Sequence, residues 1–165
     1  MTLLLLIGAL FAVAAMGSLV FLSRRSRRSK WISCANSATV TPHPTGAIAR
    51  VFLSAISQRY LLAKVGAGGA GDICGATDEP LGPVADTPVI GERATIHHLG
   101  ASPGSKTFVA SKAIADGDRL YTTGGGKVTD TPVNNSWLVG KAIAAASGDG
   151  KPVTAIPCFP VQQSV

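Results

Sequence analysis

Three glycines, Gly66, Gly68 and Gly71, stand at dinucleotide-loop spacing inside KVGAGGAGDICGATDEP. The run RYLLAKV before them reads as a strand, and Glu92 follows at about the twenty-residue distance at which an acid contacts a ribose. The chemistry on offer would be a pyrophosphate held at a helix N-terminus. That chemistry needs a helix directly after the loop. The residues present are DICGATDEPLGP, in which Gly75, Pro80 and Pro83 interrupt any helix of useful length. No βαβ unit can be drawn around the motif, so it reads as a glycine-rich turn between strands.

Other reactive combinations fail on similar grounds. TTGGGKVTD resembles half of a phosphate-binding loop around Lys127, but Val128 replaces the required Ser or Thr. Asp130-Thr131-Pro132 then blocks the helix, and a hairpin connection is expected. His97 and His98 are neighbours on a predicted strand, so their imidazoles point to opposite faces and do not share an ion. His43 stands apart in a proline-containing stretch without a completing ligand pattern. Cys34, Cys74 and Cys158 are too widely spaced for a C-x-x-C site, and their odd number argues against a disulfide framework. Free thiols in a reduced compartment are expected. No serine lies in a G-x-S-x-G elbow, and most carboxylates fall in predicted turns, where Asp caps local backbone groups. The residues point to a protein with no catalytic centre and no cofactor or metal.

The elements that would carry these residues are short. Only 5% of residues are aromatic and 15% charged, while 19 glycines and 10 prolines supply frequent turns. Segments rich in β-branched and aromatic residues recur as RYLLAKV, PLGPVAD, ATIHHLG, KTFVAS, RLYTT, KVTD, WLVGKAIAAA and PVTAIPC. This spacing predicts an all-β fold, a small antiparallel β-barrel or sandwich. Asp149-Gly150 in SGDGK predicts a hairpin turn of type I′ between the last two segments.

The 165 residues carry a net charge of +6, but its placement matters. Arg24, Arg25, Arg27, Arg28 and Lys30 account for five positive charges near the N-terminus, and no acid precedes residue 39. The remaining ten Lys and Arg face nine Asp and Glu, so the body is nearly neutral and unsuited to nucleic acid.

Residues 3–22 form an uncharged stretch of sufficient length to cross a bilayer as a helix. The SRRSRRSK flank would stay cytoplasmic. A secretory signal is disfavoured because no basic residue precedes the apolar stretch. Two readings stand for residues 1–34: a membrane anchor, or an extension foreign to the folded domain. Residues 35–57, with TVTPHPTGAIA, read as an extended arm, residues 58–161 as the β-domain, and residues 162–165 as a tail.

The order of the segments is itself informative. CGATDEPLG (Cys74–Gly82), LGASPGSKTFVASKAIADGDRLYTTGGGKV (Leu99–Val128) and VGKAIAAASGDGKPVTAIPCFP (Val139–Pro160) follow one another. This ordered set, over about residues 39–161, resembles a capsid decoration, or structural cement, family of tailed bacteriophages. The resemblance implies a small β-domain with an N-terminal arm that binds the outside of an assembled capsid in the virion, with the major capsid protein as partner and a homo-oligomeric state on the shell. It also implies no catalysis. The leader has no counterpart in the pattern, and a membrane association holds only if residues 3–22 are a genuine anchor. Thr41, Pro42, His43 and Pro44 in the arm, with Arg50, Arg59 and Tyr60 beside it, are the expected contacts to capsid or neighbouring copy. The alternative is a membrane-anchored β-domain with a binding or envelope role.

Overall fold

Each of the eight segments rich in β-branched and aromatic residues carries a strand. The computed structural model describes residues 46–164. These all belong to the second of two units into which the chain divides, Met1–Ser37 and Ala38–Val165. Residues 1–34, the apolar stretch 3–22 and the first part of the arm lie outside the described residues. Among the described residues no helix is long and apolar enough to cross a membrane.

The strands in chain order are β1 (Ala47–Val51), β2 (Leu62–Val65), β3 (Gly71–Ile73), β4 (Gly82–Pro83), β5 (Arg93–His97), β6 (Lys106–Val109), β7 (Arg119–Thr122), β8 (Val128–Thr129), β9 (Trp137–Ala142) and β10 (Pro152–Gln162). Two short 3-10 turns, Ala67–Gly69 and Gly124–Gly126, are the helical elements among them. The fold is mostly β, as the sequence predicts, with three antiparallel sheets in the orders β1-β5, β3-β2-β4 and β6-β10-β9-β7-β8. The five-stranded sheet curls as a half-barrel.

Alternation of side chains across β2 and β6 creates two cores. Leu62 and Phe108 enter the first, with Leu99, Leu120, Val128, Val139 and Val153. Their neighbours Ala63 and Val109 point the other way and enter the second, with Phe52, Ile56, Leu61, Val84, Ala94 and Ile96. At these positions both strands face a core on each side, while Val65 at the end of β2 stands exposed. Single bridges join Val84 to Ile96 and Phe52 to Gly71, so the two smaller sheets curve around the second core. Close approach is set by Gly82 in β4: at φ 155, a Cβ added there would lie 1.9 Å from the His97 carbonyl oxygen.

Three expectations are corrected. The arm does not extend to residue 57. Ala47–Val51 pair with β5 of the same chain, and Phe52 and Ile56 are buried in the second core, so residues 46–57 belong to the β-domain. Residues 46–49 accordingly order against their own chain. The Asp149-Gly150 turn is not type I′. Only Gly150 has a positive φ, of 72, and the connection between β9 and β10 runs over nine residues, 143–151. Ala146 within it bridges to Ile114, which holds the long connection against the rest of the fold. Finally, the last strand does not stop at Cys158. It continues through Pro160 to Gln162, because a register shift between Pro157 and Val161 relieves the ladder of the N–H groups that proline lacks.

Candidate interaction surface

Of the expected contact residues, Thr41, Pro42, His43 and Pro44 lie outside the described residues. The structure describes Arg50, Arg59 and Tyr60, and it does not bring all three to one cavity.

Arg50 is the best defined. Hydrogen bonds from His98 N to Gly46 O (3.0 Å) and from Phe52 N to Glu92 O (2.9 Å) fix the two ends of the β1–β5 pairing. Arg50 lies opposite Ala94, which is buried in the second core, so its side chain leaves β1 on the core-facing side. A charged group cannot end inside that core, and the chain geometry gives it an exit. The guanidinium donates from Nη1 to the carbonyl of Gly69 in the turn between β2 and β3. Arg50 Nε itself is buried. Nε finds no acceptor among the described residues.

The turn that receives Arg50 is the G-x-G-x-x-G segment. It closes the β2–β3 hairpin with Gly66 N donating to Ala70 O at 2.8 Å. Gly68 and Gly69 take φ 64 and 77, a conformation that favours glycine. No helix follows, in agreement with the sequence argument. The turn and β1 nevertheless line a small cavity of about 60 Å³, walled by Ala49, Arg50, Val51, Gly68, Gly69, Ala70 and Arg93. Arg93 and the loop glycines were not among the expected contact residues. The signal available was an arginine at the start of a predicted strand, and its meaning depends on a pairing that the sequence does not display.

Arg59 and Tyr60 occupy the turn before β2 and do not line this cavity. Tyr60 N donates to Val84 O at 2.7 Å, and the residue adopts φ 70. A bulky side chain in this left-handed region is strained.

A second cluster has reactive types but a structural task. Lys64 Nζ donates to Asp78 Oδ2 at 2.7 Å, and the same oxygen accepts from Gly75 N at 2.8 Å. These bonds, led by that from Lys64, hold the Asp78 carboxyl below its ordinary range. Cys74 beneath them is buried, and burial pushes its thiol up to about 12. Such a thiol is protonated and a poor nucleophile at neutral pH. The Lys64–Asp78 pair instead fastens the turn Gly75–Asp78 to β2. Cys158, also free, is half-buried and shifted upward by desolvation.

His97 stands on β5 opposite Ala47, and burial lowers its pKa, with Lys106 adding in the same direction. His98 follows the strand and its Nδ1 lies 2.8 Å from Leu99 O. Among the described residues no group of three His, Cys, Asp or Glu side chains is placed to hold a metal ion. Lys127 sits after the β7–β8 turn, as a hairpin connection requires, and pairs with Asp149 at 2.6 Å.

The surface also carries large apolar side chains. Val89 and Ile90 project from the loop before β5, and Ile156, Phe159 and Val161 project from one stretch of β10. Phe159 is 69% exposed, yet its ring lies against Gly100, where an added Cβ would meet it at 2.4 Å.

Compared with protein-family models, with curated proteins and with solved structures, the chain matches none.

Proposed function

We propose that the protein is a capsid decoration protein that binds the outer surface of an assembled viral capsid and stabilises it by bridging coat subunits, without catalysis. The observation that carries this reading is the apolar stretch of β10. Ile156, Phe159 and Val161 stand exposed within six residues of one strand, and such a concentration of apolar groups is a mark of protein contact. The ordered resemblance over residues 39–161 names the kind of contact. In this reading the small β-domain closes as a barrel, Thr41–Pro44 reach the major capsid protein or a neighbouring copy, and repeated copies on the shell make weak contacts add. The near-neutral body suits a protein–protein surface better than a nucleic-acid one.

The test is sedimentation with purified virions or empty heads, with heat resistance of particles that lack the protein. Co-sedimentation and loss of resistance are expected. Recovery only in host membranes, never in particles, overturns the reading and favours an anchored β-domain, for which the uncharged stretch 3–22 speaks. The N-terminal residue of the natural protein separates the two: a start near Ala35 removes the anchor.

A further inference from the structure

Resting on the capsid reading, we propose that the outer face of the five-stranded sheet, where β7, β9 and β10 run side by side, meets the coat, and that the coat presents acidic side chains to it. Arg119 of β7 stands directly opposite Lys141 of β9, and Lys141 stands directly opposite Ile156 of β10. Residues opposite one another across a ladder share a face. Burial identifies that face as the outer one. Leu120, Ala142 and Ala155, the neighbours of these residues along the strands, are buried, whereas Arg119, Lys141 and Ile156 are exposed. One step further along the β9–β10 ladder, Ile143 N donates to Thr154 O at 2.8 Å, and the exposed Ile143 side chain extends the same apolar border.

Two cations at a directly opposed pair repel, whereas opposite charges there stabilise a sheet. No acid relieves the pair here. Asp116 and Asp118 lie just before β7, but the ion pairs among the described residues join Lys64, Lys112 and Lys127 to Asp78, Asp130 and Asp149. Asp118 instead accepts from Ala115 N at 2.8 Å. The sheet thus keeps a locally unfavourable pair on its surface, and such departures mark functional positions.

Opposed Cβ atoms lie about 4.5–5.5 Å apart, so one carboxylate from outside can lie between the two side chains and accept from both. Ile143 and Ile156 border the pair. Apolar surface settling on them would exclude water from the new ion pairs, which strengthens them. A protein segment with an acid flanked by apolar residues meets both demands. A second copy docked face to face does not, since it would bring four cations together. A nucleic-acid backbone matches the cations but not the isoleucines.

The test is co-sedimentation of the full chain with purified empty heads over a range of sodium chloride concentrations. Arg119→Glu, Lys141→Glu and Ile156→Ser are compared with the parent. All three positions are exposed, and either charge reversal sets opposite charges across the ladder, so urea midpoints of the reversals should not fall. The parent's affinity for heads is expected to drop steeply with salt. Each reversal is expected to weaken binding at least about tenfold at low salt, the loss of a charge-assisted contact, and to flatten the salt dependence. Ile156→Ser is expected to weaken binding and leave the salt slope unchanged. Reversal variants that bind heads as the parent does overturn the acidic contact while the capsid reading stands. A parent that does not bind heads removes the capsid reading and the acidic contact with it. Sedimentation velocity and titration with duplex DNA on the same variants identify other occupants. A changed oligomeric state, or lost DNA binding, with head binding unaltered assigns the face to a second copy or to nucleic acid and overturns the coat contact.

Discussion

Phe52 provides the sharpest test of where the domain begins. It lies in the stretch that composition assigns to an extended arm, yet the structure buries it completely in the second core. Its ring rests on the backbone of β3: a Cβ added at Gly71 would sit 2.9 Å from two ring carbons. Phe52→Ala would leave a hole floored by a glycine, which has no side chain to move into it. Large-to-small changes of this kind cost about 3–5 kcal/mol, and the poor capacity for collapse here places the cost near 4 kcal/mol. Against a total stability of about 5–15 kcal/mol for an ordinary domain, that is a large fraction. For a domain of this size the midpoint of thermal unfolding should fall by roughly 10–20 °C. Urea unfolding followed by circular dichroism measures it, with an unchanged m-value showing that the same surface is still exposed.

The packing of ring on glycine adds a second, more specific expectation. Gly71→Ala forces its methyl into the Phe52 ring and should cost about 1–3 kcal/mol. In the double variant that methyl enters the space the ring has left. The double variant should therefore be more stable than the sum of the two single losses, by about 1 kcal/mol or more. A Phe52→Ala loss below about 1 kcal/mol, the size expected of an exposed position, would refute the placement of residues 46–57 in the domain. Strict additivity in the cycle would refute the contact with Gly71.

Tyr60→Gly relieves a left-handed backbone that costs a bulky residue about 1–2 kcal/mol, less the roughly 0.5–1 kcal/mol entropy penalty of glycine, so denaturant unfolding should show a neutral to slightly stabilised domain. If Tyr60 is a capsid contact, the same variant should bind particles more weakly while folding at least as well. Cys74 should resist alkylation in the native protein at pH 8 and react on unfolding, read residue by residue by mass spectrometry. Its pKa is raised from 9.0 to about 12, so the unfolded chain ionises first; the stability it confers is present below pH 9 and is lost as pH rises toward 12, by about 1.4 kcal/mol per unit. Cys74→Ala should remove that slope, measured as stability from pH 8 to 11. The Asp78 carboxyl is depressed, chiefly by Lys64, so its contribution is present above pH 3.8 and lost as pH falls below that value. Asp78→Asn should be less stable than the parent at neutral pH and should converge on it in acid, as compared by urea midpoints.

Composition and segment order made the all-β class and eight of the ten strands among the described residues legible, because a half-buried strand writes its period into β-branched and aromatic residues. The two strands that were missed lack that signature. β3 is Gly71–Ile73, three residues opening on the last glycine of the turn, too short for any alternation. β1 follows TPHPTG and carries Arg50 on its inward face, where the pattern calls for an apolar residue. That inward arginine departs from the local rule, and such departures mark functional or strained positions. Here the departure has a visible cause, since the side chain escapes the core through the gap between β1 and the glycine turn. The G-x-G-x-x-G spacing was rightly read as a turn. What no linear reading could supply is that β1, distant in sequence, brings an arginine to its carbonyl. The glycines and the arginine are ordinary when taken separately. It is the pairing of β1 with β5, and of β2 with β3, that brings Arg50 to the glycine turn.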